Sequence, residues 1–202
     1  MLVRIALFFW HPTLRVKGRE NIPDGAAVLC SNHSGAADAL WLLLGMDLPD
    51  MPRIMAKSEL RRVPFVGWLM ERFGVIFVKR GAHDLAAVES AEAALRSGEK
   101  FLMFPEGTRC NGTKRVRAKT GAVRIAATTG TPIVPIFLTR NKTPFCPIDE
   151  IVGEPVYVNC PEGAPVERYH QAADEILAGI YEMGGESCAD IAGKNSRVLL
   201  RG

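Results

Sequence analysis

The chain of 202 residues lacks paired cysteines: its five, Cys30, Cys110, Cys146, Cys160 and Cys188, are odd in number, scattered and never spaced C-x-x-C. That excludes a disulfide-framed module and a cysteine zinc site, and leaves reduced thiols in a cytosolic compartment as the simplest reading. It also lacks a long apolar run. The most apolar stretch offers only about ten residues before His11-Pro12, whereas a bilayer span needs roughly twenty. No small-residue cleavage site follows it, so a signal peptide is not indicated. Net charge is scarce too: 25 Lys and Arg against 22 Asp and Glu leave +3, which makes no case for nucleic acid. Two readings fit residues 1–10: an element packed on the core, or a short interfacial anchor with Trp10 at headgroup depth. The anchor is preferred.

What is present suits one folded domain. Apolar residues make up 48% and charged residues 23%, and the length supports a single core. Short β-type runs alternate with helical ones, which predicts an α/β domain with a mostly parallel central sheet flanked by helices. Strands are expected at 26–30, 53–56, 75–78, 101–104 and 133–138, with an edge strand at 156–158. Helices are expected from Ala39 to Leu44, Pro64 to Arg72, Asp84 to Gly98, Gly121 to Thr129 and Val166 to Met183. The organisation is then a short N-terminal segment (1–15), one domain (16–183) and a loosely ordered tail (184–202). Three of the strands end at polar clusters: His33, Lys79-Arg80, and Glu106 to Arg109. Ligands of open α/β sheets gather beyond the carboxyl ends of strands, so the clusters are expected to face one site.

His33 and Asp38 stand five apart in SNHSGAAD, residues 31–38. On one helix that step turns about 140°, so the two meet only if His33 lies in a strand-to-helix turn and Asp38 in the first helical turn. Gly35, Ala36 and Ala37 permit the tight path. A carboxylate on one imidazole nitrogen fixes the tautomer and leaves the other as a base. A turn histidine beside a helix cap fits the same spacing equally well. In FPEGTR, residues 104–109, Gly107 lets backbone N–H groups approach an anion, while Thr108 offers a hydroxyl and Arg109 a guanidinium fork. Glu106 there is placed to bond substrate hydroxyls. No acidic residue separates Arg109 from Arg124, a stretch holding Lys114, Arg115, Arg117 and Lys119. That run reads as a solvated loop or as a contact for phosphate and anionic lipid. Arg80 closes a strand, and Pro135 inside an apolar strand predicts an edge or a bulge beside a pocket.

In order and spacing, His33 with Asp38, residues 74–80, FPEGTR and Val134-Pro135 resemble the four motifs of the glycerolipid acyltransferases. Within these the resemblance is to the 1-acyl-sn-glycerol-3-phosphate acyltransferase family, over about residues 16–140, and Lys119 to Gly121 is similar to its Lys-x-Gly element. The resemblance implies transfer of a fatty acyl group from an acyl thioester, on coenzyme A or acyl carrier protein, to lysophosphatidate, giving phosphatidate. It implies His33 as base and Asp38 as its partner. Arg80, Glu106, Gly107, Thr108, Arg109 and Lys119 would hold the glycerol phosphate, and Pro135 would shape the acyl pocket. No metal or bound cofactor is implied, and the expected setting is peripheral, on the cytoplasmic face of a membrane. No G-x-S-x-G elbow is present to form an acyl-enzyme. Departures are Lys79 where an acidic or amide residue is frequent, Gly35 in place of a common serine, and an abbreviated N-terminal region. The alternatives are another lysophospholipid acceptor, thioester hydrolysis, or a non-catalytic protein that binds lipid surfaces through its basic loop with Phe65, Trp68 and Leu69.

Overall fold

A strand covered on both faces must be apolar almost throughout, and Ala27–Ser31 (β2) meets that condition, with every residue buried. The computed structural model describes residues 14–64, 66–72, 75–78, 85–110, 116–142, 146–161 and 163–185. Lys79, Arg80, Phe65, Asp84, nearly all of the N-terminal segment and most of the tail lie outside the described residues.

Seven strands form the sheet: Leu14–Lys17 (β1), β2, Arg53–Lys57 (β3), Ile76–Val78 (β4), Lys100–Met103 (β5), Ile133–Leu138 (β6) and Ile148–Val152 (β7). Their spatial order is β1-β7-β6-β2-β5-β3-β4. Every pairing is parallel except that of β6 with β7. The expected mostly parallel α/β sheet is therefore observed, with two reversed strands added on one side.

Helices cover both faces. Asp38–Met46 (α1) packs Trp41, Leu42 and Met46 against Leu29, Val134, Ile136 and Leu138. On the opposite face lie Leu85–Arg96 (α3), Gly121–Thr129 (α4) and Val166–Met183 (α5), whose Leu95, Ile125 and Leu177 join Val28, Phe101 and Ile133. The helix expected from Pro64 is described over Val66–Arg72 (α2), after a 3-10 turn at Ser58–Arg62. Each fully buried Leu, Ile or Phe contributes roughly 1.5–3 kcal/mol, so this two-faced core supplies most of the stabilisation.

β1 and β7 were not expected from the sequence. β1 is only four residues long and alternates half-buried with exposed positions. β7 carries Asp149 and Glu150 at its centre, which masks its alternation of buried and half-buried positions. The edge strand expected at 156–158 is instead a single bridge, Ile133 to Val156. Pro135 does not lie on an edge, since β6 is flanked by β2 and β7. It does lie opposite a bulge. Ile136 pairs with Val152 and Ile133 bridges to Val156, so four steps on one side face three on the other. The Gly153 N–H donates to the Pro135 carbonyl at 2.8 Å within that bulge. A residue without an N–H costs least where the ladder is already irregular.

Candidate active site

β2 delivers the chain to Asn32, whose side-chain amide continues the sheet: it donates to the Leu138 carbonyl and accepts from the Leu138 N–H, both at 2.8 Å. Asn32 is 1% exposed, so these bonds fix the exit of β2 rigidly. The next residue is His33. Asp38 opens α1, and its Oδ2 accepts the backbone N–H of Ser34 at 2.5 Å and of Gly35 at 2.8 Å. The same oxygen lies 2.9 Å from His33 Nδ1. The turn required by the five-residue spacing is thus built by the aspartate itself, whose charge also favours the helix N-terminus.

Asp38 is fully buried, which alone would raise its pKa. The bonds from His33, Gly35 and Lys142 outweigh burial and hold it down at about 2. An ionised carboxylate only accepts, so the Nδ1 proton belongs to His33 and Nε2 is the nitrogen that carries the lone pair. The imidazole stacks on Phe104, with centroids 4.2 Å apart and planes at 20°.

The loop after β5 folds against this turn. The His33 carbonyl accepts the Cys110 N–H at 2.7 Å, and the His33 N–H donates to Glu106 Oε1 at 3.3 Å. The Tyr181 hydroxyl, from α5, donates to that same oxygen. Glu106 is 2% exposed, and its Oε1 braces the His33 backbone. Its Oε2 has no hydrogen-bond partner among the described residues. Burial, the Glu106 charge and their hydrogen bond push the Tyr181 phenol well up. Burial, followed by the same carboxylate, pushes the Cys110 thiol up to about 12, which rules it out as a ready thiolate.

Gly107, Thr108 and Arg109 follow as an exposed turn. Gly107 has φ +65°, and a Cβ there would come within 3.1 Å of Lys119 Cγ. The Lys119 N–H donates to the Pro105 carbonyl at 2.7 Å, which seats the exposed Lys119 beside that turn. The structure therefore brings together His33, Asp38, Glu106, Gly107, Thr108, Arg109 and Lys119. Arg80 lies outside the described residues. Pro135 pairs with Cys30 on β2, and its ring lies against Gly153. Much of the described basic run is engaged elsewhere: Arg117 lies 3.5 Å from Asp174, and Arg124 stacks 4.6 Å over Tyr169.

Three contributors were missed in the sequence. Phe104 was read only as part of a motif. Tyr181 lies on a helix whose apolar face gives no hint of a polar task. Lys142 follows β6, and only the rule that sites gather beyond strand ends pointed toward it. Its ammonium is 2.8 Å from Asp38 Oδ1 and 2.8 Å from Ser34 Oγ.

Residues 13–139 match the acyltransferase family. The chain is 35% identical over 146 residues to a 1-acyl-sn-glycerol-3-phosphate acyltransferase of Borreliella burgdorferi, covering 71% of this chain and 58% of that protein. A chloroplastic 1-acyl-sn-glycerol-3-phosphate acyltransferase of Brassica napus is 33% identical over 127 residues, covering 61% of this chain and 36% of that protein. The crystal structure of the 1-acyl-sn-glycerophosphate acyltransferase PlsC from Thermotoga maritima superimposes with a TM-score of 0.66 at 27% identity, covering 91% of this chain and 77% of that one. The chain thus spans little more than half, or less, of these curated relatives. With the family matched across the whole His33, Asp38 and FPEGTR region, this chain belongs to the acyltransferase family.

Proposed function

We propose that this chain transfers a fatty acyl group from an acyl thioester to the free hydroxyl of 1-acyl-glycerol-3-phosphate, giving phosphatidate. The observation that carries this reading is the 2.9 Å contact of His33 Nδ1 with ionised Asp38, beside an exposed turn made for anions. The names of the relatives support the same acceptor.

In this reading His33 Nε2 takes the proton of the acceptor hydroxyl as its oxygen attacks the thioester carbonyl. The C–S bond then breaks, and the proton on His33 passes to the leaving thiolate. Asp38 stays ionised throughout, stabilising the imidazolium formed in between. The Gly107 N–H, the Thr108 hydroxyl, Arg109, Lys119 and Arg80 hold the acceptor phosphate, and Pro135 shapes the acyl pocket. Glu106 keeps these parts in register from beneath. The reaction uses side chains and the thioester alone, carried on coenzyme A or acyl carrier protein.

In the same reading the enzyme works peripherally at a membrane, on the cytoplasmic face, where it meets its lipid acceptor. Exposed Leu60, Val63 and Trp68 beside Arg61 and Arg62 support such contact. No helix among the described residues is long and apolar enough to cross a bilayer.

The test is acyl transfer to lysophosphatidate by the purified protein, with both donor types. His33→Ala lowers turnover by about 10³-fold while thermal unfolding is retained. Activity within a few-fold of the parent protein sinks the assignment, and acceptors with and without phosphate decide the acceptor class.

A further inference from the structure

Lys142 lies three residues beyond the segment that matches the family, in the loop after β6. Its side chain is only 12% exposed. A lysine so enclosed is costly unless its charge is met, and here it is met by one oxygen of Asp38. The two carboxylate oxygens are divided: Oδ2 takes His33 Nδ1 and two backbone N–H groups, while Oδ1 takes the Lys142 ammonium. Ser34 ties the loop down a second time, accepting from Lys142 and donating to the Arg140 carbonyl at 3.1 Å.

We propose that Lys142 is a positioning residue of the site, a third member that holds Asp38 in place and opposes premature protonation of His33. An unaccompanied buried carboxylate beside an imidazole favours the imidazolium, which is no longer a base. A cation on the far oxygen opposes that pull, yet leaves Asp38 able to orient the ring and to stabilise the imidazolium once the reaction makes it. The other ionisable groups around His33 have different partners. Glu106 and Cys110 come from the loop after β5, and Tyr181 from α5 donates to Glu106. Arg140 covers the Tyr181 ring at 4.4 Å, and Arg109 and Lys119 sit on the exposed rim. Among the described residues, Lys142 is the cation that ion-pairs with Asp38.

The kinetic part of this inference rests on the acyl-transfer reading, so the test has two arms. In the first, kcat against pH is measured for the parent protein, Lys142→Met and Lys142→Arg. Lys142→Met moves the acid limb up by about one pH unit, because removing a like charge favours the imidazolium. The loss is then about tenfold below the limb and shrinks as pH rises. Lys142→Arg restores the limb to near its original place, and KM for lysophosphatidate changes by less than about twofold. A uniform loss at every pH overturns the proposal in favour of a structural role. A raised KM with an unmoved limb overturns it in favour of substrate binding.

In the second arm, which needs no activity, the His33 ring is titrated by NMR and identified by comparison with His33→Gln. Its midpoint rises in Lys142→Met, and an unmoved midpoint refutes the proposal. Lys142→Gln, which keeps a donor for Asp38 and removes the charge, serves if the methionine variant does not fold. Absence of turnover in the parent protein with every thioester would defeat the acyl-transfer reading, and the titration would still decide the part played by Lys142.

Discussion

Glu150 sits where a charge is least welcome, and replacing it with glutamine should remove a loss of stability that grows as pH rises. It lies on β7, 0% exposed, and neither carboxylate oxygen has a hydrogen-bond partner among the described residues. Its carboxylate packs on Gly45 of α1, where a built Cβ would come within 1.8 Å of Oε2. Arg19 is close enough to ease the charge, but its guanidinium donates to the Gly45 carbonyl at 2.5 Å. Burial raises the Glu150 pKa from 4.5 to about 8, with Arg19 offsetting only part.

The sign follows from linkage. The folded pKa lies above the unfolded one, so between about pH 4.5 and 8 the folded state binds more protons and stability falls as pH rises. At about 1.4 kcal/mol per pH unit, the window amounts to about 3–5 kcal/mol, a large share of the 5–15 kcal/mol typical of a domain. Glu150→Gln replaces the protonated acid with a neutral group of the same shape. Urea unfolding of both proteins at pH 5, 6.5 and 8 should give nearly equal stabilities at pH 5. At pH 8 the variant should be more stable by about 3 kcal/mol or more. Titrations common to both proteins cancel in the difference. A difference that stays constant from pH 5 to 8 would refute the claim that Glu150 is protonated in the fold.

The Gly45 contact and the Arg109 side chain give further outcomes. Gly45→Ala should cost about 1–3 kcal/mol through overpacking against Glu150. Combining it with Glu150→Ala should cost less than the sum of the two single changes, so additive losses in a thermal double-mutant cycle would contradict the contact. Arg109→Ala should chiefly raise KM for lysophosphatidate and lower kcat little, because a phosphate is bound equally in ground and transition states. An unchanged KM in steady-state kinetics would reassign Arg109 to structure.

The region around His33 was legible in the sequence because its constraints are local. A five-residue spacing cannot be satisfied on one helix, so His33 and Asp38 could meet only across a turn, and they do so through Asp38 Oδ2. Apolar runs at 26–30 and 133–138 declared themselves as strands, since covering both faces leaves no room for polar alternation, but Pro135 hid the interior place of the second. Gly107 was flagged by its freedom of φ, and it takes +65°.

Tertiary structure alone decided which distant residues complete the site and what each one does there. Glu106 reads in FPEGTR as a group for the substrate, and only the fold shows that the Tyr181 hydroxyl, 75 residues away, and the His33 N–H take one oxygen of its carboxylate beneath the surface. Lys142 is one lysine among many until the antiparallel turn from β6 to β7 brings it to Asp38. β7 itself is hidden by Asp149 and Glu150, because a strand holding a buried acid breaks the apolar pattern by which strands are recognised. Residue type and short spacing dictate a turn and its hydrogen bonds. Burial and charge pairing depend on what packs from elsewhere in the chain, and that is a property of the fold.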